Sequence, residues 1–103
     1  MLVELTIIPI GTGPHLSGQL ADIVSIIDAS GLPYELTPSG TCIEGEWDDV
    51  MPIVRKCHDE ARRSSSHIQT LISIEDDQNE KNKLRANVSA IENRLGHSLR
   101  REH

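Results

Sequence analysis

The chain has 103 residues, which suits one domain that folds alone but has little core to spare for a deep active site. Ten Lys and Arg against sixteen Asp and Glu give a formal net charge of −6. This balance argues against a nucleic-acid partner, because phosphate binding depends on basic side chains. No apolar run reaches the roughly 18 residues that span a bilayer, and the first residues lack the features of a signal peptide. We therefore expect a cytoplasmic protein, not associated with a membrane, with both cysteines reduced.

Hydrophobic periodicity predicts four strands and three helices. Runs of β-branched residues with alternating polarity indicate the strands, and apolar residues three and four apart indicate the helices. The predicted elements are, in chain order, a strand over 2–10, a helix over 17–30, a hairpin of strands 34–37 and 41–46, a helix from Asp48 that ends before serines 64–66, a strand over 67–74 and a helix over 81–96. Ser17 and Asp48 are the expected N-caps, and Gly31 is expected to close the first helix.

The order β-α-β-β-α-β predicts a ferredoxin-like fold of the α+β class: a four-stranded antiparallel sheet with two helices on one face, here with an extra C-terminal helix. We expect one domain over residues 1–97 and a frayed tail over 98–103. The open sheet face would carry Ile8, Ile10 and Leu71 among polar residues, which is too apolar for full contact with water. Packing of protomers through their sheets would cover it, so we expect a homodimer or homotetramer.

The segment SGTCIEGEWDDVM places the only tryptophan of the chain among carboxylates. Asp48 and Asp49 are explained by the start of a helix, where carboxylates cap N–H groups and favour the positive end of the dipole. Glu44 lies inside a strand, where Glu is disfavoured, and would project onto the open face. There it suits a cationic or hydrogen-bond-donating ligand, or alternatively serves as a general acid or base. Trp47 either packs back on the helix as a hydrophobic staple or stacks on a ligand.

The remaining motifs give weaker signals. Gly11-Thr12-Gly13 lies between a strand and a helix, where N–H groups hold anions, but it lacks the spacing of phosphate-binding loops and is read as a plain turn. The five histidines show no metal-ligand spacing, so no metal site is predicted. Cys57 falls on the apolar stripe of the second helix and is interpreted as core. No catalytic residue is predicted.

Three segments, PIGTG at 9–13, SGLPYEL at 30–36 and GTCIEGEWDDVM at 40–51, are similar to the signature of the thiamine-binding, or YkoF-like, family. The resemblance covers nearly the whole chain. It implies a ferredoxin-like fold assembled through its sheets as a dimer or dimer of dimers. It also implies a non-catalytic cytoplasmic protein without a cofactor, whose ligand is thiamine or its hydroxymethylpyrimidine portion.

The resemblance implies Thr41 and Glu44, from the last of these segments, as ligand-binding residues. The strand pattern adds four further candidates, which are Tyr34, Leu36, Thr6 and Ile8. The rings of thiamine require an apolar slot, and its amino group and ring nitrogens require a carboxylate or hydroxyl partner. Strand alternation places Thr41 and Glu44 on opposite faces, so both reach one ligand only if a bulge or strand end redirects one of them. The site is expected on the open sheet face or between protomers.

The sequence departs from the family beside the fourth strand. Relatives resembling it commonly carry an arginine on each side of that strand, whereas this chain reads SSSHIQ and IEDDQN. That departure motivates one alternative, a structural or regulatory homo-oligomer whose ligand site has decayed. A second alternative is an enzyme acting on a small pyrimidine-type substrate, with Glu44 as the acid or base.

Overall fold

The computed structural model describes residues 1–11 and 16–78 of the chain. The elements are β1 (Leu2–Pro9), α1 (Leu16–Ala29), β2 (Tyr34–Thr37), β3 (Gly40–Glu44), α2 (Trp47–Ser64) and β4 (Ile68–Glu75). All strand pairs are antiparallel, and the sheet order is β2-β3-β1-β4. The predicted ferredoxin-like α+β fold is thereby confirmed. The predicted helix over 81–96 and the tail over 98–103 lie outside the described residues.

The alternation along β1 separates a helix-covered sheet face from an open one. Val3 and Leu5 are buried, and Val3 lies opposite the buried Ile43 of β3. Since successive strand residues point to opposite faces, Glu4 and Thr6 belong to the open face. The buried residues that form the core between sheet and helices are Val3, Leu5, Ile23, Ile27, Ile43, Val50, Val54, Cys57 and Ala61. The predicted assignment of the two faces is confirmed.

The open face has an acidic end, defined by Glu4, Glu35, Glu44 and Glu75. Cys42 of β3 lies opposite Glu4 on one side and opposite Glu35 on the other. Glu44 of β3 and Glu75 of β4 lie opposite Leu2 of β1, one on each side of it. Strand register therefore gathers on this surface carboxylates that are far apart in sequence.

The other end of the open face is apolar, and we define this apolar end by Ile8, Ile10 and Leu71. Ile8 is 40% exposed and Leu71 is 48% exposed, and Ile10 follows directly after β1 with 43% exposure. Leu71 pairs with Thr6, two positions along the ladder from Ile8 and its partner Gln69, so Leu71 and Ile8 share a face. Apolar area of this kind on an open sheet face favours contact with another apolar surface.

The start of α2 differs from the prediction. The helix begins at Trp47, and Glu46 occupies the N-cap position without a side-chain capping hydrogen bond. The carbonyl oxygen of Glu46 accepts from the N–H groups of Asp49 and Val50 instead. Asp48 is therefore a first-turn residue and not the cap. The staple interpretation of Trp47 is also wrong, because this side chain is the first helical residue and is 56% exposed.

Other element ends shift by one or two residues. α1 begins at Leu16, one residue before the predicted cap Ser17, and Gly31 adopts a φ of 77° after its end, as the predicted stop requires. β3 ends at Glu44 and not at Glu46, because the N–H of the next residue, Gly45, bonds to the carbonyl oxygen of Met1 and the chain then turns into α2.

Polar contacts fix the helices relative to each other and to the sheet. The buried Gln19 amide on α1 donates to the carbonyl oxygen of Ala61 at 3.1 Å and to the hydroxyl of Ser65 at 3.2 Å. The Nδ1 atom of His58 on α2 lies 2.7 Å from the hydroxyl oxygen of Thr70 on β4. Within the described ranges, no helix is both long and apolar enough to cross a membrane.

Candidate functional site

A cavity of about 610 Å³ lies at one end of the helix-covered face. Its walls come from β1 between Leu5 and Pro9, from α1 through Leu20, Ile23 and Val24, and from the hairpin tip at residues 36–41. Cavities of about 300–1,000 Å³ are typical of small-molecule sites. The cavity is therefore large enough for one or two aromatic rings.

The cavity exists because β3 is shorter than β1. The pairing of β1 with β3 stops at Leu5 opposite Thr41, whereas β1 continues to Pro9 and pairs there only with β4. The sheet consequently has a notch beneath the first turns of α1. Leu20 of α1 faces this notch and is 46% exposed.

The hairpin tip is held against β1 at close range. The Thr6 hydroxyl donates to the carbonyl oxygen of Ser39 at 2.7 Å. A Cβ atom at Gly40 would overlap the carbonyl oxygen of Leu5 and the hydroxyl of Thr6, so only glycine permits this approach. The Thr37 hydroxyl accepts from the N–H of Gly40 at 3.0 Å and closes the turn. These contacts fix one wall of the cavity.

The cavity carries no formal charge on its described lining, which consists of aliphatic, hydroxyl, proline and glycine residues. Its most buried polar side chain is Thr41, at 8% exposure, and no described residue forms a hydrogen bond with that hydroxyl. In the described ranges, every fully enclosed polar side-chain atom has a hydrogen-bond partner. Since the Thr41 hydroxyl has none, it is not fully enclosed and borders the open space of the cavity. It can therefore bond to a ligand without breaking an existing bond.

The structure brings four of the six predicted site residues to the cavity: Leu36 and Thr41 line it on the helix-covered face, and Thr6 and Ile8, which belong to the open face, border it where β1 has no β3 neighbour. Glu44 does not line it. The β1–β3 register runs without a bulge, so Glu44 stays on the face opposite to Thr41 and about 10 Å farther along β3. The cavity thus lies on the helix-covered side, whereas the site was expected on the open face or between protomers.

Tyr34 also lies outside the cavity, at the other end of the short hairpin. Its hydroxyl donates to the Asp28 carboxylate at 3.0 Å, and this hydrogen bond raises the pKa of Tyr34. The contact ties β2 to the last turn of α1.

The assignments of all six predicted residues to a ligand site, inside and outside the cavity, remain predictions. The six are Thr6, Ile8, Tyr34, Leu36, Thr41 and Glu44.

Sequence reasoning did not identify the α1 and hairpin residues of the cavity wall, namely Leu20, Ile23, Val24, Thr37, Pro38, Ser39 and Gly40. A usable signal was the difference in strand length, since the first strand was predicted over 2–10, whereas the hairpin strands were predicted over only 34–37 and 41–46. Such a difference leaves part of the helix stripe without a strand beneath it.

Cys42 on the open face has a thiol of low reactivity. Burial raises its pKa to about 11, and the negative charge and hydrogen bond of Glu4 and the charge of Glu35 add to the effect. The thiol donates to the Glu4 carboxylate, with 3.8 Å between sulfur and oxygen. At neutral pH it is protonated, so it is not an activated nucleophile. The described residues contain no group of His, Cys, Asp and Glu able to hold a metal ion.

The fold is that of a small α+β domain, and its cavity is of the size typical of small-molecule sites. The sequence model of the thiamine-binding protein family matches residues 3–92, so the chain belongs to this family. The UPF0045 protein YqgV of Bacillus subtilis is 33% identical over 100 residues, covering 91% of this chain and 96% of that protein.

Two solved structures have the same fold. MJ1052 of Methanocaldococcus jannaschii matches with a TM-score of 0.79 at 21% identity, covering 87% of this chain and 93% of that one. TM0486 of Thermotoga maritima, whose name connects it with thiamine biosynthesis or salvage, matches with a TM-score of 0.77 at 20% identity, covering 87% and 96%. At these identities the two structures support the fold alone.

Proposed function

We propose that the protein binds thiamine, or its hydroxymethylpyrimidine portion, in the cavity between β1, α1 and the β2–β3 hairpin. The observation that carries the proposal is this cavity, which gathers Thr6, Ile8, Leu36 and Thr41 in a chain of the thiamine-binding family. The ligand enters between an aliphatic helix face and a hydroxyl-bearing hairpin. This is the mixed lining that an aminopyrimidine ring requires.

The neutral lining favours the pyrimidine portion of thiamine over its cationic thiazolium portion. Aliphatic side chains of Leu20, Val24 and Leu36 can cover the two faces of a flat ring, and Thr41 offers a hydroxyl to its edge. A buried cation without a countercharge is strongly disfavoured. The thiazolium group is therefore expected at the mouth of the cavity, in contact with water.

The proposal includes binding without turnover. The described lining offers hydroxyl groups but no carboxylate, imidazole or thiol, which are the usual general acids and bases. Incubation of ligand with an equimolar amount of protein, followed by mass spectrometry, should return the ligand unchanged. Time-dependent conversion that scales with protein concentration would support the enzymatic alternative.

We further propose that the protein is a cytoplasmic homodimer or homotetramer assembled through the open sheet face. The exposed apolar end, Ile8, Ile10 and Leu71, supports this assembly because pairing would remove these side chains from water. Cys42 and Cys57 are both free, which suits a reducing compartment.

Calorimetric titration with hydroxymethylpyrimidine and with thiamine tests the site. Thr41→Val keeps the shape of the side chain and removes its hydroxyl, so affinity should fall roughly two- to tenfold, the value of one neutral hydrogen bond. Glu44→Gln is the matched control on the opposite face, and its affinity should equal that of the wild type. Unchanged affinity in Thr41→Val together with weakened affinity in Glu44→Gln would place the site on the open face. Absence of saturable binding by the wild-type protein would contradict the proposed function.

A further inference from the structure

The main-chain groups of β1 point alternately towards β3 and β4. The Met1 carbonyl oxygen accepts from the N–H of Gly45, on the β3 side, at 3.0 Å. The N–H of Ile10 donates to the carbonyl oxygen of His67, on the β4 side, at 2.9 Å. In an antiparallel ladder, the N–H and C=O of one residue face the same neighbouring strand, and the direction alternates. The odd-numbered residues of β1 therefore face β3.

Ile7 is the odd-numbered residue that lies just beyond the end of β3. Pairing with β3 stops at Leu5, and continuing the register would place Ser39 opposite Ile7. Ser39 belongs to the turn, and its carbonyl oxygen already accepts from the Thr6 hydroxyl at 2.7 Å. The β1–β3 ladder has no pair beyond Leu5 and Thr41, and outside the strand ladders no described residue forms a main-chain hydrogen bond with Ile7. Its N–H and C=O thus border the cavity that Ile7 lines.

We propose that the N–H and C=O of Ile7 bind the edge of the ligand ring. The N–H donates to a ring nitrogen, and the C=O accepts from an amino group on the adjacent ring carbon. The heterocycle would occupy the place of the missing β3 residue, in the way that an added strand pairs with a free sheet edge. This inference rests on the proposed function and names the protein groups that recognise the ring.

The ligand class follows from this donor and acceptor pair. A planar heterocycle with a ring nitrogen beside an amino group satisfies both groups of Ile7 at once, and the Thr41 hydroxyl remains available for a further contact. A ring without the amino group leaves the Ile7 carbonyl oxygen unpaired in a desolvated cavity. Sites that form hydrogen bonds with a ligand group discriminate strongly against analogues lacking it. We expect such an analogue to bind about tenfold more weakly, or worse.

Nuclear magnetic resonance on the ¹⁵N-labelled wild-type protein tests the contact directly. Titration with hydroxymethylpyrimidine should shift the Ile7 amide proton downfield and slow its exchange with water. The analogue without the amino group should bind at least about tenfold more weakly. Ile7→Pro removes the N–H at a position where β1 does not use it for pairing, and proline is tolerated at such positions. This variant should lose affinity, whereas Ser25→Lys, at an exposed position of α1 outside the cavity lining, should bind like the wild type.

The outcomes separate this inference from the proposed function. Binding that is sensitive to Thr41→Val, with an unmoved Ile7 amide and equal affinity for both ligands, would overturn the inference and leave the proposed function intact. Absence of any saturable binding would overturn both. If Ile7→Pro does not fold, as judged by its amide spectrum, the titration of the wild-type protein and the comparison of the two ligands still test whether Ile7 contacts the ring.

Discussion

The hydroxyl of Thr6 donates a hydrogen bond to the carbonyl oxygen of Ser39 across 33 residues of sequence, with 2.7 Å between the oxygens. This bond joins the central strand of the sheet to the turn of the hairpin. It also occupies the carbonyl group that would otherwise face Ile7 and extend the β1–β3 ladder by one pair. The Thr6 side chain therefore holds the cavity wall in place and keeps the edge of β1 unpaired.

Thr6→Val should weaken both folding and ligand binding. The free energy of unfolding should fall by about 0.5–1.5 kcal/mol, the net contribution of one hydrogen bond. Affinity for hydroxymethylpyrimidine should fall as well, because the released Ser39 carbonyl can accept from the Ile7 N–H and close the notch. Urea denaturation and calorimetry measure the two effects. Thr6→Ser keeps the hydroxyl and should restore affinity; equal binding by both variants would show that the bond does not shape the site.

The order and type of the elements were predictable from the sequence, because the hydrophobic alternation and the turn residues each reflect one physical requirement of the fold. Val3 and Leu5 alternate with Glu4 and Thr6, and burial of one strand face requires this pattern. Gly31 and the turn at 38–40 marked the ends of elements through backbone requirements that few residues satisfy. Element order then left few possible topologies.

The cavity was not predictable in the same way. The stripe on α1 contains Ile23 and Ile27, which are buried, and Leu20 and Val24, which line the cavity. All four are aliphatic at helical spacing, so the pattern cannot distinguish a residue above a strand from one above a notch. The family resemblance implies Glu44 as a ligand-binding residue, but strand register places it on the sheet face opposite to the cavity.

Alkylation of Cys42 should be slow at neutral pH and rise steeply with pH. Burial, followed by the effects of Glu4 and Glu35, raises its pKa from 9.0 to about 11. The thiolate is the reactive form, so raising the pKa from 9.0 to about 11 lowers the rate at pH 8 about a hundredfold. The rate should increase about tenfold per pH unit until it levels off near pH 11. Reaction with iodoacetamide, followed at this peptide by mass spectrometry, measures the profile.

Glu4→Gln tests the cause of this shift. Removing the neighbouring negative charge should lower the pKa of Cys42 and raise its alkylation rate at pH 8. Cys57 is the internal control, because burial alone raises its pKa to about 11 and no carboxylate contributes. Its rate should not respond to Glu4→Gln. A profile for Cys42 that levels off near pH 9 in the wild type would contradict the structural explanation.

Assembly through the open face should depend on its apolar end. Leu71→Lys places a charge among Ile8 and Ile10, and burial of an unpaired charge is unfavourable, so the variant should sediment as a monomer of 11.4 kDa. Ser25→Lys, at an exposed position of α1, is the control and should keep the wild-type mass. A wild-type monomer at high concentration, or a Leu71→Lys variant of unchanged mass, would contradict this mode of assembly.

Because the described cavity lining comes from one protomer, the monomeric variant should still bind hydroxymethylpyrimidine with wild-type affinity. Loss of binding together with assembly would instead place part of the site on the neighbouring protomer.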